Sequence, residues 1–273
     1  MFGGLGALLV RGLVPLFALG AAARPGCAAT PAQGRGPRIV VAVAASAVPL
    51  MERVARIFEQ RTSVSVVLCP GATGMLARQA REGAPFDLFV SADMATVEGL
   101  AAAGVVTSGS VAPYARGRLM IWQTPDSRPR LASIADLATT QAARLRIAIA
   151  NPDTAPYGEA ARQALQRSGV SLASLRGRLA MGENVGQALR VAETGNADVA
   201  FAPASLLASK GAGGIEVPES LHEPIMQGMA ILSRSQARDA TLQLHAFMLS
   251  SEARLIAREL GYNYAGPAAE RRN

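Results

Sequence analysis

The chain predicts an α/β protein of two lobes, each a mostly parallel sheet flanked by helices, with a ligand in the cleft between them. Two observations predict this. A strand–helix–strand–helix–strand pattern occurs early and its grammar returns later, and a strand-like run near the end leads back to the first unit. The run Ile-Val-Val-Ala-Val-Ala at 39–44 is continuously apolar, as expected of a strand buried on both faces. Met51, Val54, Ala55 and Phe58 then recur at i, i+3, i+4 and i+7 between charged residues, which is an amphipathic helix. Val-Ser-Val-Val-Leu at 64–68 is a second strand. Gly-Ala-Thr-Gly at 71–74 breaks the chain, helical composition fills 75–81 up to Gly83, and Asp-Leu-Phe-Val at 87–90 is a third strand.

In the second unit, Arg-Ile-Ala-Ile-Ala at 146–150 is a strand. Gly158 opens a helix bearing Ala161, Ala164 and Leu165 and closed by Gly169. Val185, Ala188, Leu189 and Ala192 share another helix face, closed by Gly195 at the C′ position. Asp-Val-Ala-Phe-Ala at 198–202 is a strand. Between the units, 118–122 reads as an extended connection, 229–232 as the return and 236–259 as helix. Lobe 1 is therefore expected to be discontinuous, from 38–115 plus 230–270, and lobe 2 to span 116–229. Hinge crossings fall near 116–122 and 225–232.

At 273 residues, 50% hydrophobic and 17% charged, the chain is long and apolar enough for large cores, which excludes general disorder. Aromatics at 4% argue against stacking on single-stranded nucleic acid. The net charge is +7, yet Lys210 is the single lysine among 27 basic residues and the arginines form no stripe, so no nucleic-acid partner is expected. Residues 1–29 read as a secretory signal, apolar and small, with Ala21-Ala22-Ala23 or Cys27-Ala28-Ala29 satisfying a small-x-small cleavage rule. Export to the periplasm follows; lipidation at Cys27 is the less favoured alternative, since Arg24 sits where such signals want an aliphatic residue. Two cysteines make no metal-site pattern, and Cys69 reads as an apolar filler at a strand end. Trp122, His222 and His245 read as structural residues.

Four turns carry the chemistry. Each follows a strand and opens a helix with small or hydroxyl residues: Ala44-Ala45-Ser46, Gly71-Ala72-Thr73-Gly74, the stretch from Asn151 to Gly158, and Glu183-Asn184-Val185. Helix N-termini present unpaired N–H groups and the positive end of the helix dipole, and in open parallel sheets they gather at the carboxyl edge of the strands. Ser46 and Thr73 add hydroxyls, and glycines let the backbone approach an anion. The turns suit capture of an oxyanion. They contain no Arg, Lys, His or Cys; a fully ionised dianion needs donors only, whereas protonated phosphate needs a carboxylate acceptor, a part open to Asp153 or Glu183.

Ala44-Ala45-Ser46 and the runs from Gly71 to Gln79, from Gly83 to Asp93, from Ile149 to Ala161 and from Phe247 to Tyr262 resemble the periplasmic molybdate-binding proteins of ABC transporters. The run Ala-Asn-Pro-x-x-Ala-Pro-Tyr-Gly at 150–158 is the most specific part of the similarity, which extends from about Arg38 to Tyr262. The resemblance implies a type II periplasmic-binding-protein fold, molybdate and also tungstate as cargo, no cofactor, and a membrane permease as partner of a monomeric chain. Carried over by position, Ser46 and Thr73 would donate hydroxyl and backbone N–H, and Tyr157 and Val185 backbone N–H, to the oxyanion rather than ligate the metal. Two departures stand out: Ala72-Thr73 replaces the family's usual Ser-Ser, and Pro203 lies where some members place a tyrosine hydroxyl. Alternatives are a site for sulfate, thiosulfate or a phosphonate, or an enzyme or sensor on the same scaffold. No HExxH, nucleophile elbow or phosphate loop with lysine supports an enzyme.

Overall fold

The computed structural model describes residues 36–263. The expected signal sequence and Cys27 lie outside them. The chain runs β1 (Arg38–Ala44), a 3₁₀ turn (Ala45–Ala47), α1 (Val48–Thr62), β2 (Ser65–Gly71), α2 (Thr73–Arg81), β3 (Leu88–Val90), α3 (Met94–Ala102) and β4 (Ala112–Gly117). It continues with β5 (Leu119–Gln123), β6 (Ile147–Ala150), α4 (Pro156–Arg167), β7 (Leu179–Gly182), α5 (Val185–Glu193), β8 (Val199–Pro203), α6 (Ala204–Ser209) and β9 (Ile215–Glu216). It ends with β10 (Ile225–Ile231), α7 (Arg238–Met248) and α8 (Ser251–Glu259).

The strands form two five-stranded sheets, ordered β2-β1-β3-β10-β4 and β7-β6-β8-β5-β9. β1 pairs in parallel with β2 and β3, as β6 does with β7 and β8. Each sheet has a single strand running against the others: β10 is antiparallel to β3 and β4, and β5 to β8 and β9. In both cases it is the strand that has just arrived from the other sheet. The stretch 118–122 is therefore more than a connection, because β5 sits inside the second sheet. The return strand likewise begins at Ile225, ahead of the Met229 start read from its apolar run. The helical stretch 236–259 is broken at Leu249 and Ser250 into α7 and α8.

Alternation places the first sheet between two helical layers. Ile39, Val41 and Val43 pack with Leu50, Val54 and Phe58 of α1, Leu244 of α7 and Ile256 of α8. Ala42 and Phe89 face the other way, onto Leu76 of α2 and Val97 and Leu100 of α3. The second lobe has one core, from Leu119 and Ile121 through Phe201 to Leu165 and Leu189. Asp87 ties the return into the first lobe: one carboxylate oxygen accepts from the Val40 N–H at 2.8 Å, the other from the Ser235 hydroxyl at 2.7 Å.

Cys69 is buried near the end of β2, in the cluster that holds Ala42, Leu76 and Phe89. Pro70 is tolerated because β2 is an edge strand. Both histidines bond backbone carbonyls: His222 Nδ1 to Glu223 at 2.8 Å and His245 Nε2 to Ser110 at 2.7 Å. Trp122 packs partly buried against the second core.

Candidate functional site

Parallel order brings the carboxyl ends of β1, β2, β6 and β7 to the seam between the sheets, and each is followed by one of the four turns. Ser46, Thr73, Tyr157 and Val185 all line one small cavity there. All four are buried. Each occupies the first or second position of its helix: Thr73 and Val185 open α2 and α5, Tyr157 follows Pro156 in α4, and Ser46 is the second residue of the 3₁₀ turn. At those positions a backbone N–H has no acceptor within its own helix. Pro156 has no N–H, so Tyr157 carries the first donor of α4.

Capping differs among the helices, and several that start elsewhere, α1 and α7 among them, also lack a side-chain cap. α3 and α8 are capped by their own side chains: the Asp93 carboxylate accepts from the Thr96 N–H and the Ser250 hydroxyl from the Ala253 N–H. Three of the cavity turns have alanine at the N-cap, Ala44, Ala72 and Ala155, with no side-chain cap bond. Alanine there forgoes roughly 0.5–2 kcal/mol of capping stabilisation, and leaves the donors open to the cavity. The fourth cap, Asn184, accepts from Gly186 and Gln187 and passes over Val185.

The Ser46 hydroxyl is buried without a hydrogen-bond partner among the described residues. Thr73 Oγ1 accepts from the Ala92 N–H at 3.2 Å, which leaves its own hydrogen to donate. The Ser46 carbonyl accepts from the Tyr262 hydroxyl at 2.7 Å and, across the seam, from the Ser205 hydroxyl at 2.8 Å. On the other side of the cavity the Gly74 N–H donates to the Thr154 carbonyl at 2.9 Å, again from lobe to lobe. The lobes are thus closed around the cavity. Sequence reading missed Ser205 and the latch role of Gly74; their partners lie far away in the chain, and no local pattern marks them.

Among the described residues, no Arg, Lys, His, Asp or Glu lines the cavity. Asp153 lies instead in a larger adjoining groove with Asp93, Glu159 and Glu223, whose carboxylates disfavour an anion. Glu183 bonds Gln187 at the exposed end of β7. Neither acid supplies a proton acceptor to the cavity. Pro203 ends β8 as the N-cap of α6 and is not part of the lining. The described residues hold no cluster of three or more His, Cys, Asp or Glu able to bind a metal ion. Neutral hydroxyl and peptide donors converging at four helix starts match an intact oxyanion.

A two-lobed fold closed over a small uncharged cavity is the architecture of a solute-binding protein. Residues 39–263 match the family described as bacterial extracellular solute-binding protein, and the chain belongs to that family. It is 34% identical over 240 residues to the molybdate-binding protein ModA of Azotobacter vinelandii, covering 86% of this chain and 92% of the relative. To ModA of Rhodobacter capsulatus it is 33% identical over 227 residues, covering 82% and 87%. The solved structure of the Azotobacter vinelandii periplasmic molybdate-binding protein superposes with a TM-score of 0.74 at 30% identity, over 83% of this chain and 98% of that one. Among the described residues no helix is long and apolar enough to cross a membrane.

Proposed function

We propose that this protein captures molybdate, and tungstate with it, in the periplasm and delivers it to the permease of an ABC transporter. The observation that carries the reading is the cavity lined by Ser46, Thr73, Tyr157 and Val185 with no charged side chain. Ser46 and Thr73 donate hydroxyl and backbone N–H from one lobe; Tyr157 and Val185 donate backbone N–H from the other. The absence of a lining carboxylate favours a fully ionised dianion over protonated phosphate. Relatives named as molybdate-binding proteins over most of their length support the choice of metal oxyanion.

Export follows from the signal character of residues 1–29. The lobes, 38–115 plus 230–270 and 116–229, hinge at the crossings near 116–122 and 225–232. The chain acts as a monomer, without cofactor or nucleic acid, and presents the rims of both lobes to the permease once closed.

Selectivity rests on size. Sulfate shares the charge and shape of molybdate but is smaller, and cannot reach every donor of a cavity built for the larger ion. Each buried donor left unpaired costs roughly 1–3 kcal/mol, so two give about a hundredfold discrimination. Calorimetric titration tests this: molybdate and tungstate should bind tightly and raise the melting temperature, while sulfate and phosphate at equal concentration do little. Equal stabilisation by sulfate would remove the molybdate assignment and leave a general oxyanion site.

A further inference from the structure

Gln227 is completely buried in β10, at the register shift between Gln227 and Gly228. A buried amide is costly unless it is hydrogen-bonded, and both ends of this one are used. Oε1 accepts from the Tyr114 hydroxyl at 2.6 Å, and Nε2 donates to the Tyr157 hydroxyl at 2.9 Å. The reversed amide orientation keeps both bonds, since a phenol can donate or accept. Tyr114 and Gln227 lie on neighbouring strands of the first sheet, whereas Tyr157 belongs to α4 of the second lobe.

The phenol of Tyr157 reaches across because Gly117, where β4 hands over to β5, has no side chain. A Cβ at Gly117 would lie 2.0 Å from the Tyr157 hydroxyl oxygen and 2.8 Å from Gln227 Nε2. Burial raises both phenols well above the usual tyrosine range, which keeps them as neutral hydrogen-bonding groups. The Tyr114 hydroxyl also lies 3.0 Å from the carbonyl of Ser91, next in the chain to Ala92, whose N–H meets Thr73. Tyr157 therefore points its backbone into the anion cavity and its side chain into the crossing strands of the opposite lobe.

We propose that Gln227 is a positioning residue: it locks Tyr157, and with it the α4 donor, against the return strand in the closed form. Anion affinity then depends on a side chain that does not line the cavity. The inference rests on the oxyanion reading of the site. Its test compares the wild-type chain, Gln227→Met, Tyr157→Phe and the double variant by calorimetry with molybdate, tungstate and sulfate, with melting temperatures measured alongside. Gln227→Met keeps an unbranched side chain of similar length, and Tyr157→Phe keeps the backbone N–H.

Each single variant should weaken binding of whichever oxyanion the wild type takes by about tenfold, one hydrogen bond's worth. The double variant should be little weaker than either single, because both break the same link. A lowered melting temperature with affinity inside twofold of wild type would mean a merely structural role and would overturn the proposal; so would independent, multiplying losses. Should Gln227→Met fail to fold, Tyr157→Phe alone decides, since it removes one oxygen. The wild-type titration judges the reading of the site, and the ratio of variant to wild type judges the role of Gln227.

Discussion

The two lobes share a topology and differ in how they present their donors. In the proposed site, the first lobe brings the side-chain hydroxyls of Ser46 and Thr73 to the cavity. In the second, Val185 brings only backbone, and the one polar group of Tyr157, its phenol, is turned away to Gln227. Each sheet places an edge strand, β2 or β7, beside its first parallel strand, and each edge strand ends in glycine, Gly71 or Gly182. The difference teaches that a donor site can be built twice on one plan, with side-chain chemistry in one half and main-chain geometry in the other. The first half should then be sensitive to loss of hydroxyls, the second to anything that moves the backbone.

The largest effect is expected at the paired glycines. A Cβ on Gly182 would meet the Ala188 backbone nitrogen at 2.5 Å, whereas on Gly71 it meets only the Leu76 side chain, from 3.0 Å outward. Gly182→Ala should cost about 1–3 kcal/mol of stability and Gly71→Ala under about 1 kcal/mol, since backbone cannot yield where a side chain can. Thermal denaturation of the two variants checks this, and equal losses would break the contrast.

Ser46→Ala and Thr73→Ala should each weaken molybdate binding by about ten- to a hundredfold, as loss of a hydrogen bond to a charged group. Val185→Ala should change affinity only a few-fold, because its donor is the peptide. Calorimetry on the three variants sharpens the comparison. Ser46→Ala has a second signature: its hydroxyl is buried and unpartnered, so the ligand-free melting temperature should hold or rise.

Asn184→Ala removes the only side-chain cap among the cavity turns and should lower stability by about 1 kcal/mol, read from the melting curve. The smallest effect concerns pH. Tyr114, Tyr157 and Tyr262 have hydroxyls raised above the usual tyrosine range, mainly by burial. They stay protonated in the folded chain while the unfolded chain ionises near pH 10, so their stabilisation is full below about pH 10 and falls as pH rises further. Melting temperature followed from pH 8 to 11 should show a decline confined to the alkaline end.

Much of the fold was legible because its strands are long apolar runs and its helices amphipathic. β1, α1, β3 and β6 stand where the periodicity put them, within a residue or so. α3 escaped because Met94–Ala102 is small and apolar nearly all round, and β7 because a short edge strand with an exposed Met181 carries little pattern. β5 was read as a connection because a crossing strand looks the same in sequence whichever sheet it enters.

The candidate site divides along the same line. The four turns are visible in order along the chain as small residues and hydroxyls between a strand and a helix, and a helix start owes its free N–H groups to local geometry alone. Their convergence on one cavity, the exclusion of Asp153 and Glu183 from it, and the Ser205 and Gln227 contacts exist only once the two sheets exchange strands and close. Those are agreements between residues distant in the chain, and a one-dimensional pattern carries no record of them.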